Sequence, residues 1–221
     1  TPVGIYLRLR DRFRDTILLE STDHHVAENS YSFICINAIG GIEISTAESI
    51  EFKLPGQKPE KMEIKNPTDV PQLLSDFMQK FETNENEIKE AGFAQGLFGY
   101  TTYDAVQFFE DLTLNPSLPK EPGSSTKERD LTYIPLIRYR LYQYVIAINH
   151  FKDEMIICEN IINGLESELA AVESLIYSKD VPVYPFKAKG TETSNMTDDD
   201  YKEMVKKGIQ SCHRGDVFQI V

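Results

Sequence analysis

A chain of 221 residues has room for one large core or two small ones. Its formal net charge of −12 opposes a nucleic-acid partner, because no segregated basic patch is present to offset repulsion by phosphates. Cys35, Cys158 and Cys212 are odd in number and far apart, and no apolar run nears the ~20 residues of a membrane span, so reduced thiols, a cytoplasmic setting and no membrane association are expected.

Gly4 to Arg10 alternates, with Ile5, Leu7 and Leu9 on one side, which predicts a half-buried strand. Arg8, Arg10, Arg12 and Arg14 then read as the wet face of that strand. Thr16-Ile-Leu-Leu-Glu-Ser21 is a short β-prone run ending in a carboxylate and a hydroxyl, and Tyr31 to Ile36 predicts its partner strand. Gly40-Gly41 predicts a turn, with Ile42 to Ser45 and Ser49 to Leu54 continuing as an antiparallel meander. Pro55 to Pro67 reads as a loop.

Val70, Leu73, Leu74, Phe77, Met78 and Phe81 fall at helical spacing, with Thr68 or Asp69 as cap and Pro71 in the first turn. Phe93 to Tyr100 predicts a strand and Thr101 to Glu110 a short helix. Gly92, Gly96 and Gly99 match no phosphate-loop spacing and predict close backbone approach instead. Thr113 to Asp130 reads as an exposed loop. Leu131–Tyr139, Leu141–Phe151 and Glu154–Ile161 predict strands, the last two joined by a tight turn at Lys152-Asp153. Leu165, Leu169, Val172 and Ile176 predict a second helix. A third starts at Thr197, with Asp198, Asp199 and Asp200 at its positive end and Gly215 beyond its last turn. Tyr201, Met204, Val205, Ile209 and Cys212 are its expected buried stripe. This order of elements predicts an α+β fold, antiparallel β-sheets backed by helices.

The search for chemistry is short. His24-His25, with Asp23 and Glu28 near, lacks a third ligand at metal spacing and reads as a solvated loop. His213 beside Asp216 reads as a cation at a negative helix end. No nucleophile elbow and no opposed carboxylate pair is present. The polar end of the 16–21 run remains, in which Leu19 and Ser21 face one way and Glu20 the other. Ser21 is the candidate for direct ligand contact, Leu19 for an apolar lining, and Glu20 for anchoring a neighbouring loop unless the strand ends or bulges there.

Thr1-Pro-Val-Gly-Ile-Tyr-Leu-Arg-Leu-Arg-Asp-Arg-Phe13, Ile17-Leu-Leu-Glu-Ser21, Tyr31-Ser-Phe33, Gly96-Leu-Phe-Gly-Tyr-Thr-Thr-Tyr-Asp104 and Gly215-Asp-Val-Phe-Gln-Ile-Val221 together resemble the N-terminal portion of anthranilate synthase component I, a chorismate-utilising enzyme family. The resemblance implies the N-terminal part of that fold, a two-sheet sandwich with flanking helices. It implies residues 1–190 as a regulatory and scaffold domain and 191–221 as the start of a truncated chorismate-binding domain. The implied activity is a lyase reaction converting chorismate and glutamine-derived ammonia to anthranilate and pyruvate in tryptophan biosynthesis.

By the same resemblance Leu19, Glu20 and Ser21 belong to a tryptophan feedback site, while the catalytic and Mg²⁺-binding residues lie outside this chain. The partner is a glutamine amidotransferase, component II. A fragment of this kind is expected to be inactive alone, to bind no Mg²⁺ and to self-associate. One departure is Cys35, where relatives commonly carry glycine. Two other readings remain open: an aminodeoxychorismate synthase fragment of the folate pathway, and a non-catalytic amino-acid-binding or interaction module.

Overall fold

The protein is seen here as a computed structural model that describes residues 1–20, 30–81, 89–110, 134–180, 182–183 and 185–220. They divide into two units, Thr1–Pro182 and Val183–Val221. In chain order the first holds α1 (Pro2–Leu9), β1 (Ile17–Glu20), β2 (Tyr31–Thr46), β3 (Ser49–Lys53), β4 (Glu60–Glu63), α2 (Val70–Met78), β5 (Phe98–Thr101), β6 (Ile137–Asn149), β7 (Glu154–Glu159) and α3 (Leu169–Tyr177). The second holds α4 (Asp198–Arg214).

The strands form one antiparallel seven-stranded sheet in the order β4-β3-β2-β6-β5, with β1 pairing β2 and β7 pairing β6 beyond that path. The expected α+β architecture, antiparallel strands with flanking helices, is therefore present. In place of two separate sheets, β2 and β6 run long enough to be shared. Near Tyr31 and Asn149 their outer neighbours are β1 and β7, and near Ile44 and Ile137 they are β3 and β5.

Alternation along the two shared strands sorts the core. Ile34, Ile36, Tyr144 and Ile146 are buried with Leu9 of α1 and Val172 and Ile176 of α3. Cys35 and Val145 point to the other face, where they cluster with Tyr142 and Ala94. Further along, Ile42, Ile44, Ile50 and Ile137 pack with Val70 and Phe77 of α2 and with Phe108. Each such side chain contributes about 1.5–3 kcal/mol by leaving water.

Several expectations need correction. Pro2–Leu9 is a helix, not a strand. Thr1 Oγ1 accepts from the Gly4 amide at 3.2 Å and Pro2 takes a first-turn position, so the start is capped. Ile5, Tyr6 and Leu9 pack on the core at helical spacing, which the i, i+2 pattern of Ile5, Leu7 and Leu9 disguised. Arg8 is then no wet-face residue, since its guanidinium donates to the Ile176 carbonyl at 3.0 Å.

Gly40-Gly41 is likewise no turn but lies inside β2. A side chain at Gly41 would sit 2.4 Å from the Tyr139 carbonyl oxygen, so glycine lets β2 pass close to β6. One extra residue near Ile39 shifts the β2–β6 register, and Asn37 holds a left-handed φ of 59° just before it. The predicted loop 55–67 contributes β4, and Leu131–Tyr139 and Leu141–Phe151 are not two strands, since one strand, β6, runs through 137–149. Phe93 belongs to a 3-10 turn (Lys89–Ala94) and a second one occupies Tyr103–Phe108.

In the second unit, α4 has the predicted caps. Thr197 Oγ1 accepts from the Asp200 amide, and Gly215 adopts φ 81°. Its apolar stripe is not buried, since Tyr201, Met204, Val205 and Ile209 are all exposed and so is Cys212.

Candidate functional site

β1 ends the described part of the 16–21 run, and its register with β2 sets what lies around it. Leu19 stands opposite Phe33 and Glu20 opposite Ser32. Directly opposed residues of an antiparallel pair share a face. Leu19 therefore shares the face of Tyr31 and Phe33, and Glu20 shares the other with Ser32. Leu19 is 37% exposed and Glu20 is exposed. Ser21 lies outside the described residues, as do His24 and His25 and the 113–130 loop.

An aromatic shelf flanks Leu19. The rings of Tyr31 and Phe33 stack at 6.0 Å between centroids, and Phe93 meets them at 5.1 Å and 5.6 Å. Phe98 extends the row, 6.1 Å from Phe33 and 6.4 Å from Tyr142. A shelf of this kind can hold a planar apolar or aromatic group against its edges and faces. Phe93 comes from a chain-distant 3-10 turn, and nothing in its local spacing signals this role.

The opposite face is polar at the same level. Ser32 is fully buried, and its Oγ shares a 2.7 Å hydrogen bond with Nε2 of His150, an exposed residue in the turn after β6. The His150 amide donates to the Ser30 carbonyl at 3.0 Å. Asn149 Nδ2 donates to Tyr31 Oη at 2.9 Å, while its Oδ1 accepts from the amides of Phe151 and Lys152. The strand end is thus pinned from both sides.

The entrance to β1 is held by charge. Asp15, with φ 50°, meets the guanidinium of Arg138 at 2.7 Å, and Tyr142 Oη donates to the Asp15 carbonyl at 2.8 Å. Arg138 and Arg140 both reach Glu43. Burial raises the Tyr142 hydroxyl well above its ordinary range and pushes the Cys35 thiol up to about 12. Cys35 is therefore a packed neutral thiol, with no thiolate available near neutral pH. All three cysteines are free. At the far end of the chain Asp216 pairs with Arg214 at 2.8 Å, and no ion pair joins it to His213 among the described residues.

Among the described residues no three His, Cys, Asp or Glu side chains converge on a point that could hold a metal ion. No helix there is long and apolar enough to cross a membrane.

Comparison with known proteins gives one consistent neighbourhood. The chain is 26% identical over 241 residues to "Anthranilate synthase component 1" of Aquifex aeolicus, covering 100% of this chain and 44% of that protein. It is 24% identical over 229 residues to the protein of the same name from Lactococcus lactis, covering 100% of this chain and 45% of the relative. "Anthranilate synthase alpha subunit 2, chloroplastic" of Arabidopsis thaliana is 29% identical over 182 residues, 72% of this chain and 27% of the relative.

Among solved structures, anthranilate synthase component I from Streptococcus pneumoniae TIGR4 matches 98% of this chain and 44% of its own, at 16% identity and a TM-score of 0.45. The chain thus spans less than half the length of the curated relatives it matches. The family described as chorismate binding enzyme matches residues 24–221, and the chain belongs to that family.

Proposed function

We propose that this chain is the N-terminal part of an anthranilate synthase component I, carrying a tryptophan feedback site at Leu19, Glu20 and Ser21. The reaction of the whole protein is then the lyase conversion of chorismate and ammonia to anthranilate and pyruvate. A glutamine amidotransferase, component II, supplies the ammonia. The observation that supports this reading most is similarity across the whole chain to proteins named anthranilate synthase component 1. The same names favour it over the folate-pathway enzyme and over a free-standing binding module.

Tryptophan carries an ammonium, a carboxylate and an indole. The shelf of Tyr31, Phe33 and Phe93 beside Leu19 offers the indole an apolar, edge-and-face surface. Ser21 provides a hydroxyl beyond the strand end for the amino-acid head group. Glu20, on the opposite face, is suited to anchor a neighbouring loop through its carboxylate. Inhibition then requires only that the liganded arrangement disfavour the active one by about 1–3 kcal/mol.

The Mg²⁺ of the family's reaction finds no ligand set among the described residues. The ion and chorismate are assigned to parts of the protein outside this chain, and residues 1–190 and 191–221 to a scaffold domain and the start of the catalytic one. Calorimetry with L-tryptophan on this chain and on Ser21→Ala tests the feedback site. Saturable heat lost in the variant is expected, and no heat with the parent chain would remove the site. A fluorescence assay with chorismate, Mg²⁺ and ammonium tests the activity, and this chain is expected to produce no anthranilate.

A further inference from the structure

A cleft of about 350 Å³ opens in the unit Thr1–Pro182 where the β2 kink, the turn after β3 and the loop after β7 meet. Its size suits a small ligand. Arg14 and Lys53 line it together with Asn37, Gln57 and Asn163, and no acidic residue does. That is unusual in a chain of net charge −12. Among the described residues neither Arg14 nor Lys53 has an ion-pair partner.

The walls are built rather than incidental. Asn37 keeps its left-handed φ while its Nδ2 donates to Oε1 of Gln143 at 2.6 Å. Gln143 is fully buried, and its Nε2 donates to the Glu166 carbonyl at 2.9 Å and to Glu159 Oε1 at 3.2 Å. One buried amide therefore ties the kink to the loop on the opposite wall. On the third side Gly40 lets the Lys53–Pro55 segment close in, since a side chain there would meet the Lys53 carbonyl oxygen at 2.8 Å. Strain of this kind persists where the surroundings over-determine it.

We propose that this cleft binds a small oxyanion, a phosphate group or a short dicarboxylate. The Arg14 fork can take two oxygens side by side, Lys53 adds a compact positive charge, and Gln57 and Asn163 bring further amide donors. The cleft does not include Leu19 or Glu20, so its test is independent of the tryptophan site.

The full 221-residue chain is titrated with inorganic phosphate and, separately, with malonate, both at constant ionic strength and with chloride as the reference. Constant ionic strength cancels the general screening of an acidic protein. At least one oxyanion is expected to bind more tightly than chloride. Arg14→Gln and Lys53→Gln should each weaken it about tenfold, ~1.4 kcal/mol, and Lys58→Gln, an exposed lysine outside the cleft, by less than twofold. Phosphate alone binding assigns a phosphate-bearing ligand, and malonate alone a dicarboxylate. Equal response to chloride, or affinity unchanged in both cleft variants, overturns the proposal. Should Arg14→Gln not fold, as judged by circular dichroism, Lys53→Gln decides.

Discussion

Leu19 of β1 and Phe33 of β2 stand directly opposite each other, so the only part of the Leu-Leu-Glu run that meets the aromatic shelf is its middle leucine. This pairing separates two effects that a substitution can have. Phe33 contacts Tyr31, Phe93 and Phe98, so Phe33→Ala should destabilise the chain by about 2–3 kcal/mol, below the full cost of a wholly buried ring. Leu19 is partly exposed, and Leu19→Ala should cost only about 1 kcal/mol while weakening tryptophan about tenfold. Urea unfolding and calorimetry on the two variants separate stability from binding. A Leu19→Ala chain that binds tryptophan unchanged would detach the shelf from the ligand.

Ser32 and His150 form a pair in which only one member is buried. The consequence is an asymmetry. His150→Ala strands a buried hydroxyl and should cost about 1–2 kcal/mol, whereas Ser32→Ala leaves an imidazole that water can reach and should cost less. The double variant should be no worse than His150→Ala alone. Denaturant titration of the three variants measures this, and simple additivity would mean the bond contributes nothing.

The glycines make a sharper prediction. A side chain at Gly99 would lie 1.8 Å from the Arg138 carbonyl oxygen, while Gly92 and Gly96 have open space around theirs. Gly99→Ala should therefore lose at least about 3 kcal/mol, through forced separation of β5 from β6. Gly96→Ala should stay within about 1 kcal/mol of the parent. Thermal melts of the two single variants are the check.

What the sequence made legible follows from how local each signal is. The caps of α4, Thr197 and Gly215, are determined within one turn of chain and were readable. So were β1, β7 and the start of α2 with Pro71 in its first turn, where spacing and punctuation agree. The α1 helix was misread because Ile5 and Leu9 satisfy both a two-residue and a four-residue period, and the Thr1 cap arbitrates between them. Gly40-Gly41 looks the same in a turn as in a strand pressed against Arg140, and only the partner strand distinguishes them. The shelf and the cationic cleft were invisible for a related reason. Phe93 joins Tyr31, and Lys53 joins Arg14, through tertiary packing that no short window contains.

The stripe on α4 predicts association. Tyr201 (56%), Met204 (50%), Val205 (42%) and Ile209 (52%) expose one continuous apolar row on a helix whose caps are complete. Apolar rows of this sort drive self-association or dye binding in solution. Val205→Lys with Ile209→Glu should lower both, and should leave helicity unchanged because the caps at Thr197 and Gly215 are untouched. Sedimentation and dye fluorescence are the measurements, and a parent chain that is monomeric and dye-negative would show the row to be inert.

Burial of the Cys35 thiol predicts a loss of stability in alkaline solution. Burial favours the neutral thiol, so the folded chain holds this proton from its ordinary 9.0 up to about 12, while the unfolded chain releases it near 9. Between those values the unfolded state binds fewer protons, and stability must fall as pH rises. The contribution is fully present below pH 9 and amounts to about 4 kcal/mol lost by pH 12, at about 1.4 kcal/mol for each pH unit. The raised hydroxyl of Tyr142 acts in the same direction. Cys35→Ala should start lower at neutral pH, by about 1 kcal/mol for the emptied volume, yet lose less between pH 9 and pH 12. Chemical unfolding at a series of pH values would reveal the two curves converging above pH 9 and then crossing, with the variant the more stable by pH 12. Parallel curves would mean that the thiol ionises as readily in the folded chain as in the unfolded one. Alkylation offers an independent check, since exposed Cys212 should react at pH 8 and Cys35 only on unfolding.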